Sequence, residues 1–179
     1  MRTASLVLAA YVMCVICAAS WRLFGDTLHD AVPDLGALTA AYLGLTARRQ
    51  VAPAVLGSVV LGYLVDLISG APPGLIALVL GATGLVARAI QQRILVRGTA
   101  MTMAFSAFVA VIAQVIGLLV RILYHVPRAG FTTELAHMAM VTIATAIVGP
   151  LVWRAFRRID AAFARTARER DAALEGLAP

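Results

Sequence analysis

The chain of 179 residues contains no lysine, and all fifteen of its basic residues are Arg. Together with the abundance of Ala, this matches the codon bias of a GC-rich genome and carries no mechanism by itself. Charge is scarce, at 13% of residues, against 61% hydrophobic and a mean hydropathy of +0.91. That balance excludes a soluble globular protein and specifies an integral membrane protein. Its length suits several spans with short links, and no separate soluble domain. Cysteine is limited to Cys14 and Cys17, a C-x-x-C inside the first apolar run with no second ligand pair beside it, so apolar packing is expected rather than zinc or redox chemistry. Met13 and Ile16 precede them, which makes a poor lipoprotein cleavage site. The three histidines are scattered: His29 falls with Asp26 and Asp30 in a polar link read as solvated loop, and His125 and His137 stand alone. No metal or cofactor is expected. The interiors of the spans offer one carboxylate, Asp66, and no acid and base pair at useful spacing, so the chain reads as non-enzymatic. The net charge of +6 does not point to nucleic acid, because the Arg residues sit at span ends and in one tail, where membrane topology accounts for them.

What is present is a set of six apolar runs organised around one stretch, Val51 to Gly74. Val51 to Ser69 is close to the roughly 20 residues of helix that cross a hydrocarbon core. Ser58, Gly62, Asp66 and Ser69 or Gly70 recur by threes and fours and share one small, polar face. A carboxylate inside such a run is costly facing lipid, so Asp66 is expected to turn inward and be paired. A Ser-Gly-Ala-Pro-Pro-Gly turn follows, tight enough to set the fourth span antiparallel beside the third.

The first span covers Thr3 to about Trp21. Ala18-Ala19-Ser20 resembles a signal-peptidase site, but the apolar run is too long for a signal segment and is expected to be retained. Pro33 and Asp34 open the second span, which ends near Ala47; proline suits the first helical position and a carboxylate there meets the positive end of the helix dipole. Gly36, Ala40 and Gly44 form a small-residue face, a candidate partner surface. The fourth span, from Pro73 to about Ala87, carries a similar stripe of Gly74, Ala77, Gly81 and Gly84, so spans three and four should meet through small faces. The residues from Ala89 to Arg97 continue that helix outside the membrane. The fifth span is Gly98 to Val120, in which Gln114 is expected to make an interhelical hydrogen bond. The sixth is Glu134 to Trp153, with Thr142, Thr145 and Gly149 on one face and Pro150 placed to kink its last turn. Two regions follow: a membrane domain of residues 1–153 and a basic tail of residues 154–179. In the tail Phe156, Ile159 and Phe163 make an amphipathic helix suited to an anionic leaflet or a cytoplasmic partner.

With the amino terminus inside, twelve of the 15 Arg residues lie on cytoplasmic segments, leaving only Arg22, Arg121 and Arg128 outside. The expectation is an all-α bundle of six transmembrane helices with both termini cytoplasmic. Asp34, Asp66 and the turn from Ser69 to Gly74 then collect toward the outer leaflet. Asp66 is expected to pair with Arg121 or Arg22, or to accept hydrogen bonds from a neighbouring helix end.

At Pro33-Asp34-Leu35, and above all along Gly57-x4-Gly62-Tyr63-x2-Asp66-Leu67-Ile68-Ser69-Gly70-x3-Gly74, the chain resembles the bacterial rod shape-determining membrane protein family MreD. The detailed likeness covers about Pro33 to Arg88, and departs from the family pattern at Pro72-Pro73. The resemblance implies a fold similar to the substrate-binding subunits of energy-coupling-factor vitamin transporters. It also implies a non-enzymatic scaffold of the elongation machinery in the bacterial inner membrane. Such a scaffold binds the bitopic protein MreC and helps couple cytoplasmic MreB to peptidoglycan synthesis by the RodA glycosyltransferase and its transpeptidase. The residues that would carry it are Gly62, Asp66, Gly70 and Gly74 in the hairpin, with the Gly36 to Gly44 face beside them. The alternative is a vitamin transporter subunit, for which Asp34, Asp66 and Gln114 would supply an outer polar pocket. The sequence leaves open whether two copies associate, whether a lipid or small molecule occupies an outer cavity, and whether the tail meets MreB or only phospholipid.

Overall fold

The computed structural model describes residues 2–23, 32–46, 51–70, 72–91, 98–125 and 130–175. Among them the chain is all-α, with six helices and no strand: α1 (Arg2–Leu23), α2 (Leu35–Thr46), α3 (Ala52–Ser69), α4 (Leu75–Gln91), α5 (Thr99–Leu123) and α6 (Phe131–Glu175). Four of these, α1, α3, α5 and α6, contain segments long and apolar enough to cross a membrane, as expected of an all-α membrane protein. α2 and α4 are apolar but shorter. At 1.5 Å per residue the 12 residues of α2 rise only about 18 Å, well short of a hydrocarbon core.

α2 is the central helix of the bundle. It packs against every other helix of the bundle, and each residue from Leu35 to Gly44 is buried. A helix that is apolar all round has no solvent face to present, and its small residues let neighbours close in on all sides. A Cβ on Gly44 would strike the carbonyl of Gly84, one on Gly36 would lie 3.1 Å from Leu80 Cδ1, and Ala40 has no exposed surface. The Gly36, Ala40 and Gly44 face is therefore not a surface for a partner. It is the seam between α2 and α4, consumed inside the chain.

α3 and α4 form the most closely joined pair, and they meet through their small residues. A Cβ on Gly62 would fall on the backbone of Ala77, 2.7 Å from its nitrogen, and one on Gly84 would lie 3.0 Å from Ser58 Oγ. Lipid supplies no hydrophobic drive between helices, so backbone approach of this kind, with its dispersion contacts, takes its place.

α6 departs from the expected division into a span and a tail. It is one helix of 45 residues with Pro150 inside it, so the boundary between residues 153 and 154 falls on no break. Phe156, expected to face a leaflet, is buried: its ring lies 5.1 Å from that of Tyr42, which also meets Trp153 edge-on at 5.3 Å. Tyr42 donates a hydrogen bond of 2.6 Å to Asp160. The apolar stripe that begins the basic segment is thus spent, in its first turns, on α2. Gly149 closes α6 onto α5 at Ser106. The polar link with Asp26, His29 and Asp30, and also Arg48, Arg49, Arg93, Arg97 and Arg128, lie outside the described residues.

Candidate functional site

The carboxylate of Asp66 lies one turn before the end of α3 and is 3% exposed. Beyond it Gly70 takes a left-handed conformation (φ 68°) and Gly74 a second positive φ (91°). Neither position is crowded, so glycine is required there for its backbone freedom and not for space. The reversal brings the first turn of α4 against Asp66. Oδ2 accepts hydrogen bonds from the N–H of Gly74 (3.0 Å) and of Ala77 (3.3 Å), and Oδ1 accepts from the N–H of Ile76 (2.9 Å). The opening N–H groups of a helix have no partner within it and carry its partial positive charge. A carboxylate reaching across from α3 satisfies three backbone donors at once. Ser69 Oγ donates back to the carbonyl of Asp66 at 3.3 Å.

Of the partners expected for Asp66, the neighbouring helix end is the one observed, and Arg121 is not. Arg121 instead donates to Glu134 at 2.9 Å across the link from α5 to α6, with side-chain exposures of 37% and 19%. A carboxylate already holding three N–H groups leaves little for a guanidinium to gain, whereas Glu134 in the first turn of α6 faces Arg121 directly. The side chain of Arg22 lies outside the described residues.

Asp34 is handled in a related way on a smaller scale. Its Oδ1 accepts from the N–H of Ala37 at 2.8 Å, capping α2, and its own N–H donates to Thr145 Oγ1 at 2.9 Å. Thr145 in turn donates to the carbonyl of Val141, at 2.6 Å. Pro33 precedes the cap and its carbonyl receives the N–H of Leu35. The start of α2 is thereby tied to α6.

Beside Asp34 lies a cavity of about 340 Å³ to which all six helices contribute. α1 brings Cys14, Cys17 and Ala18; the segment entering α2 brings Pro33, Asp34 and Gly36; Val65 comes from α3. α4 supplies Leu75, Ile76, Val79 and Leu80, α5 supplies Ala113, Gln114, Gly117 and Arg121, and α6 supplies His137 and Val141. These come from the late turns of α1, α3 and α5 and the early turns of α2, α4 and α6, so the cavity sits at one end of an alternating bundle. The wall is mainly apolar, with few polar groups converging on it, which is the ordinary make-up of a small-molecule site. Asp66, expected in such a pocket, does not line it.

Gln114 departs from its expected role. Among the described residues it makes no hydrogen bond to another helix, and its half-buried amide is part of the cavity wall. Pro33, Asp34, Gly36 and Arg121 are thus gathered at the cavity, Gly62, Asp66, Ser69, Gly70 and Gly74 in the hairpin beside it, and Ala40 and Gly44 in the seam between α2 and α4. Glu134 as the partner of Arg121, and the two cysteines as cavity wall, went unforeseen. Their only shared signal is position at the same end of alternating helices. Among the described residues no group of three or more His, Cys, Asp or Glu side chains could hold a metal ion. Compared with protein-family models, with curated proteins and with solved structures, the chain matches none.

Proposed function

We propose that this chain is a non-enzymatic scaffold of the MreD type, crossing the bacterial inner membrane six times with both termini cytoplasmic. In this reading it binds an MreC-like bitopic protein and helps couple MreB to the RodA glycosyltransferase and its transpeptidase. The observation that carries the reading is the use made of the D-L-I-S-G segment. Its carboxylate is spent on Gly74, Ile76 and Ala77 of the same chain, as an architectural element would be, and is not presented to a substrate. In this topology the Arg-rich part of the long α6 belongs to the cytoplasmic side, where phospholipid or MreB would be met.

A second reading, as the substrate-binding subunit of a vitamin transporter, is favoured by one observation, the cavity at the end assigned to the outer leaflet. Affinity purification of the tagged chain from mild detergent, wild type beside Asp66→Ala, separates the two. Under the scaffold reading a bitopic MreC-like protein follows the wild type and is depleted from a variant that still inserts. Recovery of transporter ATPase subunits in its place would overturn the scaffold.

A further inference from the structure

The polar groups around the cavity differ in how far the protein already uses them. Asp34 is engaged by the opening of its own helix, through the N–H of Ala37. Arg121 is neutralised by Glu134 at 2.9 Å. His137 also has an interaction within the chain. Gln114 remains: an uncharged amide in the wall, with two donors and a carbonyl acceptor and no hydrogen bond among the described residues. Its half-buried amide is therefore open to a hydrogen-bonding group bound in the cavity. Around it Val65, Val79, Leu80 and Val141 offer only apolar surface. The volume, about 340 Å³, holds on the order of 20 non-hydrogen atoms at the density of packed organic matter.

We infer that this cavity is a binding site for an uncharged amphiphile with an apolar body that fits the cavity and a neutral hydrogen-bonding head built of amides or hydroxyls, seated on Gln114. Anions are disfavoured because Arg121, the one guanidinium in the wall among the described residues, is held by Glu134. On the acidic side of the wall, Asp34 already spends Oδ1 on the N–H of Ala37. The inference stands apart from the scaffold reading: either can fail while the other holds. The occupant can come from the bilayer, as a neutral lipid, or from the water outside, and the chemistry required is the same.

The chain provides its own reporter, since its only two cysteines, Cys14 and Cys17, both line the cavity. In the full chain in lipid nanodiscs, the rate of alkylation of these thiols by N-ethylmaleimide is read by intact-protein mass spectrometry. Three probes are compared: 1-decanoylglycerol, N-acetylphenylalaninamide and the anion decanoate. The expected result is at least fivefold slowing by one or both neutral probes and none by decanoate. Protection by 1-decanoylglycerol assigns the bilayer as the source, and protection by N-acetylphenylalaninamide alone assigns the water. In Gln114→Leu the protection should fall at least threefold. In Gly117→Leu it should vanish, because a Cβ at 117 clears Val79 by 4.0 Å and the rest of the side chain fills the cavity. Thermal unfolding of both variants is followed alongside to establish that they fold. Absence of protection by all three probes in the wild type, or equal protection by decanoate, overturns the inference.

Discussion

The α3–α4 hairpin and the cavity lie side by side at one end of the bundle, and they treat polarity in opposite ways. In the hairpin every element is closed. Asp66 holds three backbone N–H groups, Gly62 lets two backbones touch, and Gly70 and Gly74 take the conformations that the reversal needs. At the cavity the helices stand apart and Gln114 is left without a hydrogen bond among the described residues. The same six helices therefore build a fixed joint and an open cavity next to each other. In the hairpin polarity is spent on the backbone of the same chain, whereas at the cavity the Gln114 amide stays open.

The contrast breaks most sharply at Gly62. A leucine there would drive its side chain into the backbone of Ala77; with no flexible neighbour to yield, a loss of about 3 kcal/mol or more is expected. Fluorescence-detected gel filtration should show the variant aggregated or absent. Asp66→Ala comes next. It leaves three donors without an acceptor in a dry setting and should cost roughly 3 kcal/mol, measured as a lowered unfolding temperature in detergent. Asp66→Asn, which keeps one carbonyl acceptor, should recover part of that loss; equal damage from both would mean that charge and not acceptor number matters. Thr145→Val removes the acceptor for the Asp34 N–H and should cost about 1 kcal/mol by the same assay. Gln114→Leu should have the smallest effect, near zero or slightly stabilising, because it removes an amide with no hydrogen bond to lose among the described residues. A large destabilisation by Gln114→Leu would erase the distinction between joint and cavity.

Much of the hairpin was legible in advance because its information is local. The threefold and fourfold spacing of Ser58, Gly62 and Asp66, and the glycines of the turn, are properties of neighbouring residues. The helix end that satisfies Asp66 lies only eight to eleven positions away. Arg121 and Glu134 show where such reading stops: they sit thirteen apart on two helices, and spacing alone does not say that they meet. The Gly36 to Gly44 face misled for another reason. A small-residue stripe says that something approaches closely, not whether it belongs to the same chain, and here α4 does. The fate of Phe156 was hidden in the same way, since an apolar stripe among Arg residues suits a lipid surface and an aromatic neighbour equally well. Gln114 could be placed near the middle of its span, but the partner it lacks depends on how far apart five other helices stand.

α6 carries one last consequence. Its 45 residues form a rod about 67 Å long. Near one end His137 and Val141 line the cavity; further along, among the first Arg residues of the basic stretch, Phe156 and Asp160 meet Tyr42, and the helix continues to Glu175. Pro150 deletes one backbone bond without dividing it. The cavity wall and the Arg-rich stretch are thus parts of one unbroken helix, with the Tyr42 contacts set between them.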